Sequence, residues 1–161
     1  MTKIINLRDV KSKDWASPGG KFGASDLELS IALGRKPESL DLGDRHPFDV
    51  IVSTVPAGKA ACPYHAHSAQ FEYYQVLSGK GRVRSESGIR EIVPGDCFVF
   101  KPGEAHQLLG GENEAVTVIL VADNPLGESC YYPDSKKWIV HAPEDRLIRS
   151  EPLEYLDGEK D

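Results

Sequence analysis

Cysteine is scarce in this chain of 161 residues: three occur, at Cys62, Cys97 and Cys130. An odd number at wide spacing does not indicate a disulfide framework. No two of them form a Cys-x-x-Cys pair, which excludes a structural zinc ribbon. We interpret Cys62, which lies three residues before His65, as a small buried or half-buried thiol.

Long apolar runs and an excess of basic charge are also absent. No stretch reaches the length of a membrane span, and the first ten residues, MTKIINLRDV, contain no apolar core of signal-peptide length. Lysine and arginine number 19 against 25 aspartates and glutamates, a formal net charge of −6. This balance opposes binding to nucleic acid and to an anionic membrane surface. We therefore expect a cytoplasmic protein that binds neither.

Several catalytic motifs are missing as well. The chain has no G-x-S-x-G elbow, no G-x-G-x-x-G fingerprint and no Walker loop. Residues 19–23, GGKFG, lack the Walker spacing and are interpreted as a turn. Hydrolysis by a serine triad, hydride transfer from NAD and phosphoryl transfer from ATP therefore lack their residues.

What the sequence does contain is a succession of short apolar stretches separated by glycine and proline. Turn residues recur about every 8 to 12 residues, and no segment has an apolar stripe of helical period and helix length. This pattern predicts an all-β barrel or sandwich. Residues 3–7 and 26–36 are also predicted to form strands.

The chain is predicted to be a single domain, residues 1–161, with a barrel core at about residues 47–122. Residues 1–46 and the proline-rich residues 123–161 are expected to be arms that pack on the barrel or on a partner subunit. The second arm carries too many aromatic residues for a purely solvated tail, and only residues 157–161 are expected to be free. The aromatic residues are Tyr131, Tyr132, Trp138 and Tyr155.

The residues that carry chemistry lie in two short stretches. Residues 58–79, GKAACPYHAHSAQFEYYQVLSG, hold His65 and His67 with one residue between them, followed by Glu72. Side chains at i and i+2 of a strand point to the same face, so these imidazoles can share one ion and the carboxylate can join them. A third imidazole, His106, lies in residues 95–110. This donor set suits one divalent ion (Zn, Mn, Fe, Co or Ni), with Glu72 bound directly or through water.

These two stretches resemble the two motifs of the cupin superfamily. The first motif, G-x5-6-H-x-H-x3-4-E-x6-G, is matched by Gly58, His65, His67, Glu72 and Gly79. The second, roughly G-x5-P-x-G-x2-H-x3-N, is matched by Gly95, Gly103 and His106. Pro102 lies one position late and Gly110 replaces the usual asparagine, but neither is a ligand. The resemblance, which is to small bacterial single-domain cupins, implies a double-stranded β-helix (jelly roll) whose ligands point into the barrel.

Other side chains near the ligands are candidates for direct roles. If Glu72 points inward, Tyr74 does too, and it could donate a proton or a hydrogen bond. Gln70 could bind a substrate oxygen or a metal-bound water. Each of these residues also has an ordinary interpretation, as a core tyrosine with a polar tip or a solvated polar side chain. The candidates for substrate binding are Tyr64, Arg82 and Lys101.

The resemblance implies a small-molecule ligand and leaves several functions open. The favoured one is an enzyme that acts on a small polar molecule, similar to cupin isomerases or epimerases of sugars and sugar phosphates. A metal-dependent dioxygenase and a non-catalytic ligand-binding or sensor module are the alternatives. Since cupins of this size commonly pair through a sheet edge, we also expect a homodimer.

Overall fold

The architecture is a double-stranded β-helix, seen in a computed structural model that describes residues 2–37, 39, 41–141 and 144–159. Strands make up 45% of the structure and helices 7%, which confirms the predicted all-β fold class. The pairings between its named strands are antiparallel. No helix in the described ranges is both long and apolar enough to cross a membrane.

The elements follow one another in three groups along the chain. The first group is β1 (Lys13–Ala16), β2 (Gly23–Glu28), α1 (Leu29–Leu33), α2 (Leu42–Arg45) and β3 (Phe48–Val55). The second is β4 (Ala66–His67), β5 (Glu72–Gly79), β6 (Gly81–Ser85), β7 (Gly88–Ile92), β8 (Cys97–Phe100) and β9 (His106–Gly110). The third is β10 (Val116–Asp123), β11 (Ser129–Tyr132), β12 (Lys137–Val140) and β13 (Arg146–Ile148).

Three sheets are formed by these strands. The largest has the order β1-β2-β3-β10-β5-β8, and a smaller one has the order β7-β6-β9. The third, β13-β12-β11-β4, joins the C-terminal strands to the short strand that carries His67. The C-terminal segment therefore reaches the first histidine motif directly.

The core lies between the large and small sheets. Alternation along β10 buries Val116 and Val118, while Thr117 faces outward and its hydroxyl lies 3.0 Å from that of Thr54. Val55 and Val76 complete a fully buried valine cluster, and each such side chain contributes about 1.5–3 kcal/mol on burial.

Two glycines of the motifs are required by close backbone contacts. Gly79 has φ +73°, and a Cβ there would collide with the carbonyl oxygen of Ala115. A Cβ at Gly110 would collide with the carbonyl oxygen of Pro56. Glycine therefore replaces the usual asparagine of the motif at a position where the neighbouring backbone leaves no room for a side chain.

Two local predictions in the N-terminal region are wrong. Within residues 26–36 the strand ends at Glu28 and α1 follows, because the buried Ser30 hydroxyl accepts a hydrogen bond from the Val50 amide at 2.8 Å and anchors a helical turn. Residues 3–7 form no strand, and a 3₁₀ turn begins at Leu7. The side chain of Asn6 caps that turn by accepting from the Arg8 amide at 3.0 Å.

The two segments outside the expected barrel core differ in how they join it. β1 and β2 extend the large sheet, whereas β11 to β13 form a separate sheet on β4. The rings of Tyr131 and Trp138 pack at 4.8 Å within that sheet, while Tyr155 is exposed. Of the residues expected to be free, 157–159 are exposed, and 160 and 161 lie outside the described residues.

Candidate metal centre

The two histidine motifs meet through a pair of backbone hydrogen bonds. The His65 amide donates to the His106 carbonyl at 3.1 Å, and the His106 amide donates to the His65 carbonyl at 2.8 Å. Residues paired in this way across antiparallel strands present their side chains on the same face. His67 lies on that face by the i+2 relation, and Glu72 begins β5 with its side chain buried.

The four side chains converge on one point. One ligand atom from each of the four lies within 4.8 Å of all the others. The Nε2 atoms of His65 and His67 are 3.2 Å apart, and the Glu72 carboxylate lies 2.8 Å from His106 Nε2 and 3.4 Å from His67 Nε2. Ligand bonds of about 2.0–2.1 Å around one ion separate neighbouring donor atoms by about 3.0–3.4 Å. The cluster has the dimensions of a divalent-metal site.

The opposite ring nitrogens explain why the Nε2 atoms face inward. His65 Nδ1 lies 2.9 Å from the Pro63 carbonyl oxygen, and His106 Nδ1 lies 2.9 Å from the Glu104 carbonyl oxygen. Each acceptor favours a proton on Nδ1, which leaves a lone pair on Nε2. Several lone pairs and a carboxylate then face one another and need a shared cation between them. The donor set therefore fits a bound metal ion.

His67 has the same arrangement, but side chains provide it. Its Nδ1 lies 3.2 Å from Glu128 Oε1 and 3.1 Å from Cys130 Sγ. Glu128 also accepts hydrogen bonds from the amides of Ser68 and Ala69, both at 2.9 Å. Sequence reasoning missed Glu128 and Cys130, since only the pairing of β11 with β4 brings them to the site.

The electrostatics of the cluster favour ligand forms of two of these side chains. Burial, followed by the neighbouring His106, lowers the pKa of His65 to about 4, so its imidazole is neutral. Burial acts to raise the pKa of Glu72, but contacts with His106 and His67 outweigh it and hold that pKa well below its usual range. Burial opposes charge on His67 too, yet Cys130 and Glu72 raise the pKa of His67, so an incoming ion must displace a proton.

Of the two residues predicted to be catalytic, one lies at the cluster. The buried Tyr74 donates from its hydroxyl to Glu72 Oε2 at 2.8 Å. Burial, with the nearby Glu72 charge, raises the pKa of Tyr74 well above its usual value, so this hydroxyl is a donor and not a base. Gln70 is not among the clustered side chains: it is half-buried, and its amide donates to the Asp123 carbonyl.

The three residues predicted to bind substrate lie elsewhere. The Tyr64 ring packs under the Arg84 guanidinium at 3.9 Å, because adjacent residues of an extended chain face opposite sides and His65 takes the inner one. Arg82 is on the face of β6 opposite the core residue Val83, and its Nη1 lies 3.5 Å from Glu112 Oε1. Lys101 is exposed. The structure brings none of the three to the metal ligands.

A cavity of about 150 Å³ adjoins the cluster. Two ligands, His65 and Glu72, form part of its wall together with Tyr74. The lining also includes Asp26 and Ser53, which pair across β2 and β3. Burial raises the pKa of Asp26, partly offset by hydrogen bonding from Ser53. The remaining lining residues are small or apolar: Ala24, Ile51, Ala61, Cys62, Leu108 and Leu120.

Comparisons with known proteins agree with this architecture. A proposed sugar phosphate isomerase from Acidithiobacillus ferrooxidans superposes with a TM-score of 0.76 at 20% identity, covering 92% of each chain. A cupin-superfamily sugar phosphate isomerase from Silicibacter pomeroyi gives 0.75 at 22% identity, covering 95% of this chain and 98% of that one. A predicted oxalate decarboxylase from Thermotoga maritima gives 0.60 at 17% identity, covering 76% and 100%. At these identities the likeness establishes the fold.

The sequence comparison supports the same conclusion over part of the chain. No curated protein matches the chain in sequence. A family model described as a cupin domain matches residues 51–122, the segment that contains the four clustered side chains. Taken with the shared fold, this match supports a small protein of the cupin superfamily.

Proposed function

We propose that this cupin is a metal-dependent enzyme that isomerises or epimerises a small sugar-like molecule. The observation that carries the proposal is the position of the cavity, whose wall includes the candidate ligands His65 and Glu72. A ligand in this cavity would lie beside the metal ion. Two neighbours of the same fold are named as sugar phosphate isomerases, and we adopt that reaction class as the first to test.

In this proposal, His65, His67, Glu72 and His106 hold one divalent ion. A bound ion of this kind polarises a carbonyl group of the substrate. The Tyr74 hydroxyl fixes the Glu72 carboxylate at 2.8 Å and stays protonated.

Isomerisation also requires a group that accepts and returns a proton. Asp26 suits this role, since its carboxyl lines the cavity and burial moves its pKa upward from 3.8. The apolar side chains Ile51, Leu108 and Leu120 would limit the water around it.

Other roles derived from the sequence remain predictions. These are substrate binding by Tyr64, Arg82 and Lys101, a catalytic role for Gln70, a cytoplasmic location and a homodimer. A dimer through the edge of the large sheet would use β1, whose four residues are exposed. A monomeric mass in solution at micromolar concentration would contradict the dimer.

The test is a turnover screen in D₂O. Protein loaded in turn with Zn, Mn, Fe, Co or Ni is mixed with small aldoses, ketoses and their phosphates, and NMR follows C–H exchange and product. We expect deuterium at the carbon next to the carbonyl with wild type and with His141→Ala, an exposed histidine, and none with His106→Ala.

Two outcomes of the screen would contradict the isomerase. Turnover that stops under strict anaerobiosis would indicate the dioxygenase instead. Binding to the metal-loaded protein with no exchange for any compound would indicate a non-catalytic module.

A further inference from the structure

The cavity beside the metal cluster is lined by two acidic residues. These are Asp26, on β2, and Glu72, on β5. No lysine or arginine is found among the described residues that line it. Further acidic residues, Glu28 and Asp14, add to the negative potential at Asp26.

The lysine whose charge acts on Asp26 already forms an ion pair with another residue. Lys13 is the cation that acts on this carboxylate, and its Nζ lies 3.0 Å from Glu28 Oε1. Arg84 forms two hydrogen bonds with Asp134, at 2.7 and 2.8 Å, on the outer side of β6. Arg82 lies on that same outer side beside Glu112. Both arginines lie on the face of β6 opposite the core residue Val83, and neither lines the cavity.

Charge and size together limit what the cavity accepts. A phosphate group carries about −1.5 to −2 charges near neutral pH, and proteins bind it with arginine, lysine or a helix N-terminus. Placed beside Asp26, it would meet a like charge in a partly desolvated site. A volume of about 150 Å³ corresponds to about five water molecules at liquid density, enough for a compound of about three or four carbons.

Asp26 also has the chemistry to bind hydroxyl groups. Its carboxylate is acceptor-only when ionised, and Ser53 on the neighbouring strand supplies one donor to it. No lysine or arginine of the described residues lies within salt-bridge distance of it. Its remaining acceptor positions are therefore free for a ligand.

We propose that Asp26 is a ligand-contacting residue of this cavity, and that its carboxylate selects small uncharged hydroxy-carbonyl compounds over their phosphate esters. The inference rests on the proposed small-molecule function but concerns binding, not turnover. It narrows the substrate class from sugars and sugar phosphates to the unphosphorylated compounds.

Two probes that share one carbon skeleton and differ by a phosphate group test this: dihydroxyacetone and dihydroxyacetone phosphate. Their dissociation constants are measured by ligand-observed NMR, with zinc-loaded and with metal-free protein. The variants are Asp26→Asn, Ser53→Ala and Asp14→Asn. Asp14→Asn is the matched control, because Asp14 lies on exposed β1, accepts from Ser25 Oγ at 2.6 Å and is the weakest of the charges that act on Asp26.

We expect wild type to bind dihydroxyacetone at least about tenfold more tightly than its phosphate ester. Asp26→Asn should reduce this ratio toward one by strengthening ester binding and weakening dihydroxyacetone binding, with zinc content unchanged. Ser53→Ala keeps the charge and should keep the ratio, as should Asp14→Asn. Metal-free protein should keep the direction of the preference with weaker binding.

Three results would overturn the inference: tighter binding of the ester by wild type, an unchanged ratio in Asp26→Asn, or no binding of either probe. Failure of the isomerase proposal gives a different result. In that case dihydroxyacetone binds with the expected preference, but its carbon-bound hydrogens do not exchange in D₂O. Circular dichroism of Asp26→Asn verifies that the variant is folded.

Discussion

His65 and His106 are held by backbone, whereas His67 is held by side chains. The carbonyl groups of Pro63 and Glu104, each two residues before its histidine, accept from Nδ1 at 2.9 Å. The partners of His67 are Glu128 and Cys130, which are 61 and 63 residues away in sequence. Two ligands are thus oriented within the motifs, and the third depends on the C-terminal strands.

This difference determines which substitutions can alter the support of the metal ligands. A backbone carbonyl is kept whatever side chain its residue carries, so substitutions at the two local supports leave the acceptor in place. Outer partners that are side chains can be removed one at a time, and each typically changes metal affinity by about 10–100-fold. His67 is therefore the ligand through which changes in β11 reach the metal.

The largest effect is expected from removing a ligand on the backbone-supported side. His106→Ala, alone or with His65→Ala, should lower metal affinity by more than about 100-fold, because loss of a ligand exceeds loss of an outer partner. Metal content after purification without a nickel column measures this. His141→Ala, which removes an exposed histidine, should retain wild-type content. Equal metal content in His106→Ala and wild type would contradict the assignment.

Matched substitutions of two glutamates test the difference between side-chain and backbone support of the histidines. Glu128→Gln should weaken metal binding by about 10–100-fold, because His67 loses its carboxylate partner. Glu104→Gln should change it little, since the bond to His106 comes from the main chain and the Glu104 side chain accepts from the Lys101 amide. Competition with a chelator gives both affinities. Equal effects of the two substitutions would remove the distinction between backbone and side-chain support.

A smaller effect is expected from the two cysteines beside the histidines. Cys130 Sγ lies 3.1 Å from His67 Nδ1. Because a thiol is a weaker hydrogen-bonding partner than a carboxylate, Cys130→Ala should weaken metal binding by less than about tenfold, below the usual range for an outer partner. Cys62 Sγ lies 3.5 Å from His65 Nδ1, which already has the Pro63 carbonyl, so Cys62→Ala should have no effect. The same chelator titration distinguishes them. A stronger effect at Cys62 than at Cys130 would reverse the predicted order.

The smallest expected effect is on folding stability and comes from Asp26, whose carboxyl lies outside the ligand cluster. Folding raises the pKa of Asp26 from 3.8, so the native state binds this proton more tightly than the unfolded chain. Wild type therefore loses stability as pH rises from about 3.8 through the folded pKa. Asp26→Asn should unfold at a higher denaturant concentration than wild type at pH 7. The gain in free energy of unfolding should be less than about 1 kcal/mol, because the carboxyl is partly screened by solvent. This difference in stability should be smaller at pH 4. A larger difference at pH 4 than at pH 7 would contradict the raised pKa of Asp26.

The sequence predicts the strands and the ligand cluster because both depend on short-range patterns. Alternation places Glu72 and Tyr74 on one face, and the i+2 spacing does the same for His65 and His67. Parity also shows why Arg82 misses the cavity: Val83 points to the core, so its neighbours point outward. The prediction for Arg82 rests on its charge, which does not determine the face on which it lies.

What the sequence did not predict depends on contacts between distant residues. Glu128 and Cys130 reach His67 only through the pairing of β11 with β4. Asp26 enters the cavity because β2 pairs with β3 at Ser53, a register that no motif marks. The strand predicted for residues 26–36 failed for a similar reason, since Ser30 forms a helical turn through its bond to the distant Val50 amide.

The most direct test of the metal site is anomalous diffraction from crystals of wild-type protein purified without a nickel column. We predict one strong anomalous difference peak between the Nε2 atoms of His65, His67 and His106 and the Glu72 carboxylate, at about 2.0–2.2 Å from each. The absorption edge would also identify the element. A fully occupied peak on the Nδ1 side of His67, between Glu128 and Cys130, or no peak at all, would contradict the assignment.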